Sequence, residues 1–247
     1  MNENLAIAAP AHFPSDPTHF NFDEVAPFFQ NMAVRSIPLY EVAHSMHARM
    51  LAPWLKDRPA AVLDVGASRG RFFDHLVEQY GHKRIDDGTL DLTAIDKSLP
   101  MVSALRERYP TIGIRAQDIA ADEFIEGEGA ESYDVVCAFY VLQFIRPSRQ
   151  AAVLRRLMTL VKPGGVLILG QKSAHHGVLA DLAHDDYMRW REGNGYSRAE
   201  IEAKSLALQN SMWPMSDFDT RGILKEQMSE VFETTRIGVF NTLMARK

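Results

Sequence analysis

The chain has 247 residues, of which 46% are apolar and 24% charged, with a formal net charge of -5. That is enough to bury one sizeable core, and the mixture excludes a disordered or fibrous protein. Charges of both signs are interspersed, without the basic stripe of a nucleic-acid binder, and no apolar run approaches the roughly eighteen residues of a membrane span.

The start, MNENLAIAAPAHFP, lacks the basic opening and long apolar stretch of a signal peptide, so a cytoplasmic location is expected. Residues 1–20 carry Pro10, Pro14 and Pro17 and no periodicity, which predicts an irregular arm. Residues 21–58 hold two helical patterns, FDEVAPFFQNM and PLYEVAHSMHARMLAPWL, the second with Pro38 in its first turn, and are expected to cap the core. From residue 59 to 247, short apolar runs alternate with helical patterns: AVLDV, RFFDHLVEQY, LTAID, PMVSALRERY, IGIRA, YDVVCAF, SRQAAVLRRLMTLV and GGVLILG. Such alternation predicts a parallel sheet covered on both faces. GHKRIDDGTLDL reads as a polar surface loop, a helical insertion is expected at about 176–215, and VFETTRIGVFNTLMARK reads as two strands turning at Gly238. The predicted fold is α/β: a Rossmann-like, doubly wound, seven-stranded and mostly parallel sheet with an antiparallel last strand and an N-terminal helical cap.

The segment VLDVGASRGRFFDHL is a strand, a small-residue turn and a helix, an arrangement that aims free amides and a helix dipole at a ligand. A dinucleotide fingerprint needs G-x-G-x-x-G, but Ser68 and Arg71 occupy two of the three glycine positions, so NAD fits poorly. Asp64 two residues before Gly66, then Gly66-x-Ser68-x-Gly70, resembles the first motif of class I S-adenosylmethionine (SAM) methyltransferases. Asp96 closes the second strand, where a carboxylate can accept both ribose hydroxyls. Asp118 and Ile119 follow the third strand, where that class binds adenine, and Phe139 ends the fourth.

Beyond this core, FDEVAPFFQNMAVRSIPLY, GASRG, YVLQFIRPSRQ and NGYSRAEIEAKSLALQNSM together resemble the carboxy-S-adenosylmethionine synthase family, from about Phe22 to the end. The resemblance implies that Tyr40, Gly66, Ser68, Asp96 and Asp118 contact the cofactor. It also implies a homodimer, and a reaction that turns SAM and prephenate into carboxy-SAM for tRNA wobble-uridine modification. Three positions depart from the family pattern. Lys97 and Phe139 replace asparagines, and Ser205 stands where an arginine pairs with the added carboxylate. A charge-assisted bond is worth about 1.5 to 3 kcal/mol, so carboxy-SAM binding should weaken by roughly tenfold to a hundredfold. Arg198 shares the helix but lies about 10 Å along it at 1.5 Å per residue.

His44 and Gln143 join Arg198 and Ser205 as substrate-pocket candidates, and Tyr40, Tyr140 and Tyr196 are catalytic candidates. His44 and His47, His175-His176 and His184 form no metal-ligand set of familiar spacing, so no metal is expected and the histidines are placed in the pocket or on the surface. Cys137 is expected to be a buried apolar residue, Arg155-Arg156 and Arg189-Trp190-Arg191 to face solvent, and Trp190, Tyr196 and Trp213 to serve as acceptor-pocket or core residues. The chain lacks the proline-aromatic motif of DNA amino-methyltransferases and the Pro-Cys of cytosine C5 enzymes. The functional expectation is a SAM-dependent transferase, a methyltransferase releasing S-adenosylhomocysteine, whose partner is a small-molecule acceptor and not a membrane or nucleic acid. A carboxy-SAM synthase and a catalytically silent SAM-binding protein are the alternatives.

Overall fold

A computed structural model describes residues 20–127 and 129–247, so most of the expected irregular arm lies outside the described residues. Seven strands form one sheet: β1 (Ala60–Val65), β2 (Leu90–Asp96), β3 (Gly113–Ala116), β4 (Tyr133–Phe139), β5 (Val161–Lys172), β6 (Glu230–Ile237) and β7 (Phe240–Arg246). Their order is β3-β2-β1-β4-β5-β7-β6. The first five pair in parallel, while β7 runs antiparallel to both neighbours, β5 and β6. The order reverses between β1 and β4, and the carboxyl ends of adjacent strands there open the crevice in which such folds bind ligands.

Among the described residues, eight longer helices surround the sheet: α1 (Phe29–Ser36), α2 (Tyr40–Met50), α3 (Arg71–Tyr80), α4 (Leu99–Arg108), α5 (Pro147–Leu160), α6 (Val178–Gly193), α7 (Arg198–Leu208) and α8 (Asp217–Leu224). Successive strand residues serve opposite layers, as a period of two requires. Val62 joins Phe72, Phe73, Leu76 and Leu51 on one face. Leu63 and Val65 join Val153, Leu154, Leu157 and Leu224 on the other. Burial on both faces explains why the central strands read as nearly continuous apolar runs.

Local details depart from the sequence expectation. Pro38 lies outside α2, because Leu39 takes a left-handed conformation (φ 59°) and the helix begins at Tyr40. The segment expected as a surface loop holds a short helix, His82–Asp86, and its last residues start β2, because Leu90 and Leu92 are buried in the sheet. Strand β5 begins at Val161, ahead of Gly164-Gly165, where Val161 already pairs with Tyr133. Helix α7 is capped by Ser197, whose hydroxyl accepts the Glu200 N–H while the Glu200 carboxylate accepts the Ser197 N–H.

Candidate active site

A cavity of about 1060 Å³ opens at the carboxyl edge of the sheet and reaches under the N-terminal helices and the α6–α7 pair. One wall is the turn between β1 and α3. Gly66 N–H (2.7 Å) and Ala67 N–H (3.1 Å) both donate to the carbonyl of Ile95, tying the turn to the end of β2. Gly66 has φ 69°, and a Cβ there would sit 2.4 Å from Val141 Cγ2, so both the backbone and the packing require glycine. Gly70 serves differently: it does not line the cavity, and a Cβ would meet Leu105 at 2.7 Å, which makes it a close-packing residue against α4.

Asp96 is built into the same wall. Its Oδ2 accepts the Ser68 N–H at 2.8 Å and its Oδ1 accepts the Ser98 N–H at 2.9 Å. Burial pushes its carboxyl up, while the Ser98 and Ser68 amides and Lys97 pull it back. Asp64 lies deeper, at 3% exposure, and no described residue hydrogen-bonds its carboxylate; burial and then the charge of Asp96 push it well above the carboxylate range. Lys97 Nζ sits 4.0 Å from Asp118 Oδ2, and both side chains are half exposed at the cavity rim, with Ile119 buried beside them.

The inner wall is aromatic. Phe139 packs on His44 (4.3 Å between ring centres) and Phe72 (5.1 Å), and Tyr40 packs on His44 (4.3 Å). Tyr140, buried with φ 60°, donates its N–H to the Gly170 carbonyl at 2.7 Å. Burial, then the charges of Glu41 and Asp64, raise the Tyr40 phenol far above its ordinary value, and burial raises Tyr140 to about 12. Both therefore stay protonated at neutral pH and act as donors, not bases. His44 Nδ1 lies 2.7 Å from the Tyr40 carbonyl, so that nitrogen carries the proton and Nε2 is the acceptor. Burial holds its pKa down at about 4, so the ring is neutral at pH 7. Gln143 also lines the cavity, and its carbonyl accepts the Trp213 N–H at 2.6 Å.

Several expected site residues are elsewhere. Arg198 opens α7 with 84% of its side chain exposed, 4.0 Å from Glu192, and does not line the cavity. Its position at the first helical residue leaves it on the solvent side. Ser205 does line the cavity, but its hydroxyl donates to the Ile201 carbonyl of its own helix at 2.7 Å. Tyr196 lies outside the cavity lining, with Arg35 4.0 Å over its ring and its hydroxyl 3.1 Å from Ser36 Oγ. His47 is buried behind His44, its Nδ1 2.6 Å from the Ala43 carbonyl. Cys137 is fully buried in β4, and among the described residues no group of three or more potential ligands is placed to hold a metal ion.

Sequence reasoning missed the cavity's cations. Arg191, expected in solvent, is only 3% exposed because the rings of Tyr196 (5.0 Å) and Tyr187 (5.7 Å) shelter its guanidinium. Lys172 at the end of β5 and Lys204 in α7 line the same space. The linear clues were Lys172's place at a strand's carboxyl end, the edge where such sheets bind ligands, and Lys204's place directly before the expected pocket residue Ser205.

A glycine turn pinned to the next strand, a carboxylate at that strand's end and a seven-stranded sheet with β7 reversed define the class: SAM-dependent methyltransferases. Residues 63–167 match the family described as "Methyltransferase domain". The chain belongs to the carboxy-S-adenosyl-L-methionine synthase family. It is 31% identical to the synthase of Desulfotalea psychrophila, over 90% of this chain and 88% of that one, and 32% identical to that of Wolinella succinogenes, over 92% and 93%. Among solved structures it resembles the CurJ carbon methyltransferase (TM-score 0.63, 16% identity, 94% of this chain) and spans 61% of that protein's length. It also resembles Burkholderia thailandensis 1,6-didemethyltoxoflavin-N1-methyltransferase, solved with 1,6-didemethyltoxoflavin and S-adenosylhomocysteine (TM-score 0.54, 19% identity, 98% of this chain and 93% of that one). At these identities the structural likenesses establish the fold. No helix among the described residues is long and apolar enough to cross a membrane.

Proposed function

We propose that the protein transfers a methyl group from SAM to a small-molecule acceptor bound in the inner half of the cavity. One observation carries this: the Gly66 turn, Asp64 and Asp96 open into the same cavity as a deep chamber lined by aromatic side chains. The residues fit the cofactor. Asp64 is a buried carboxylate lacking a donor, suited to the ammonium of an amino acid, and Asp96 retains lone pairs for ribose hydroxyls. Lys97, Asp118 and Ile119 are placed to flank a base, and Ser68 and Tyr40 to complete the wall. When bound, SAM supplies an electrophilic methyl on a sulfonium, the carbon–sulfur electron pair returning to sulfur as the acceptor's lone pair forms the new bond.

The chain's contribution is alignment and exclusion of water, supported by the cover of α1 and α2 over the sheet edge. His44 Nε2 is the neutral base candidate for an acceptor proton, and Tyr40 and Tyr140 are donors that orient the acceptor. The protein is further proposed to be cytoplasmic and dimeric; Val178, Leu179 and Leu182, all exposed on one face of α6, support self-association.

The second reading, conversion of SAM and prephenate to carboxy-SAM, is favoured by the relatives' names; Ser205, with its hydroxyl engaged in its own helix, argues against it. The test is to identify the nucleoside that co-purifies by mass spectrometry and then to incubate the protein with SAM and prephenate. S-adenosylhomocysteine or SAM without carboxy-SAM is expected. Abundant carboxy-SAM in either measurement would replace methyl transfer by the second reading. SAM binding without turnover to either product, with prephenate or in a lysate-metabolite screen, would leave a silent binding protein.

A further inference from the structure

Helix α6 lines the cavity with His184, Tyr187, Met188 and Arg191, yet it is not held in place as the other helices are. Its one buried residue is the charged Arg191, whereas each of the other seven longer helices buries at least one apolar residue. Val178, Leu179 and Leu182, in its first two turns, are 75%, 81% and 59% exposed, so apolar burial does not tie down that end. Half-buried Tyr187, 5.2 Å from the Phe240 ring, is its main apolar contact with the sheet. An element with so little buried apolar surface is the kind that opens locally while the rest of the fold stays intact.

Both ends of α6 are glycine joints. Ala174 pairs with Ser216 and donates its N–H to the Met215 carbonyl at 3.0 Å, so the inserted segment leaves and rejoins the body at one point. Gly177, directly before α6, has φ 96°, and Gly195, two residues beyond its end, has φ 84°. A Cβ at Gly177 would meet nothing within 4 Å, so the joint is unpacked and free to absorb a change of backbone angle. Helix α7 is fixed instead: Ala207 is buried with Phe20 and Val25, and Ser211 Oγ, just past the helix, accepts the Phe20 N–H at 3.3 Å. What holds α6 down is a latch on the last two residues of α1. Tyr187 donates its hydroxyl to the Ser36 carbonyl at 2.7 Å. Arg35 donates Nε to the Asn194 carbonyl at 2.7 Å and Nη2 to the Gly195 carbonyl at 2.6 Å, and its guanidinium lies 4.0 Å over the Tyr196 ring.

We propose that α6 is a hinged lid, swinging on the Gly177 and Gly195 joints, and that small molecules reach the inner half of the cavity when the Tyr187 and Arg35 latch releases α1. Closed, the lid keeps water from the chamber; open, it admits a ligand and releases a product, so the strength of the latch sets the rate of exchange. The latch joins the two covers of the cavity, α1 from the N-terminal cap and α6 from the insertion, across the space between them. The proposal goes beyond methyl transfer and holds for whichever reaction the cavity carries out.

The test uses the full chain and needs no acceptor. Cys137 is fully buried, so Ser205→Cys places a single reactive thiol in the cavity. Its reaction rate with methyl methanethiosulfonate reads entry, and amide hydrogen exchange reads the lid. The α6 amides should exchange faster than those of α5 and α7, with little dependence on low urea, because the opening exposes little surface. Tyr187→Phe removes one hydrogen bond and should speed both α6 exchange and the thiol reaction about threefold to tenfold; Arg35→Met removes two charge-assisted bonds and should speed both by about tenfold or more. Exchange in α3 and α5 should keep the parent's rate, which shows that the variants are folded; if Arg35→Met loses that protection, Tyr187→Phe decides alone. Exchange in α6 as slow as in α5, or with the urea dependence of global unfolding, would overturn the lid. A thiol rate unchanged in the latch variants would overturn the gate, because entry would then bypass α6.

Discussion

Replacing Asp96 with asparagine is the sharpest probe of the proposed cofactor wall. The carboxylate accepts two backbone amides, Ser68 N–H at 2.8 Å on one oxygen and Ser98 N–H at 2.9 Å on the other. Asparagine is close in size but has one oxygen, so one amide must face an NH2 group. A buried donor left unpaired costs about 1–3 kcal/mol, and a charge-assisted bond to a ligand hydroxyl is worth about 1.5–3 kcal/mol. Part of this is returned, because Asp96 is itself buried beside Asp64 and its charge opposes that of its neighbour. The unpaired amide costs folding stability in the free and bound protein alike, so the expected loss in cofactor binding is that of the ligand bond, about 1.5–3 kcal/mol, roughly tenfold to a hundredfold at 1.4 kcal/mol per tenfold. Calorimetric titration of S-adenosylhomocysteine into parent and Asp96→Asn protein measures it, with circular dichroism confirming the fold. Binding within threefold of the parent would show that Asp96 shapes the turn without contacting the ligand, and would remove the ribose assignment.

Gly66→Ala should lose about 2–4 kcal/mol of stability, because the new Cβ meets Val141 at 2.4 Å in a left-handed backbone; a urea unfolding midpoint unchanged from the parent would refute the packing argument. His44 and His47 both have pKa values held down at about 4 by burial, against an ordinary 6.5. Between those values the unfolded chain takes up protons that the folded chain refuses, so stability should fall as pH drops from 6.5 towards 4, by about 3 kcal/mol per histidine. Urea unfolding across that range should show the slope, and His47→Gln should reduce it; a flat profile would mean that the rings are not buried neutral. Burial and the charge of Arg191 hold the Lys172 pKa down at about 8. The protein should therefore gain stability from pH 8 towards 10.5, where only the unfolded lysine stays charged. An unfolding free energy that stays flat from pH 8 to 10.5 would mean that the Lys172 ammonium is solvated in the folded protein.

The wall of the cavity formed by the glycine turn and Asp96 was legible in the sequence because its parts are local. The Asp64–Gly70 turn is continuous chain, and Asp96 sits at the carboxyl end of an apolar run, which fixes its place at the sheet edge before any tertiary contact is known. The limits of that legibility show in Gly70. Spacing marks it as part of the motif, but whether a glycine faces a ligand or a neighbouring helix depends on what packs against it, here Leu105. Arg198 shows the same limit: a position on a helix gives a face only relative to the partner helix, and its side chain points to solvent.

The sequence by itself determined the class of fold, the order of strand and helix and the place of the glycine turn and strand-end carboxylates at the sheet's carboxyl edge, because periodicity, strand-end residues and turn glycines are short-range properties of the chain. Only the tertiary structure decided the inner half of the cavity. Lys172, Arg191 and Lys204 belong to three elements, and each alone looks like an ordinary surface cation. Their meeting in one cavity, with Arg191 buried and the two lysines half-buried, arises when α6 and α7 fold over the end of β5.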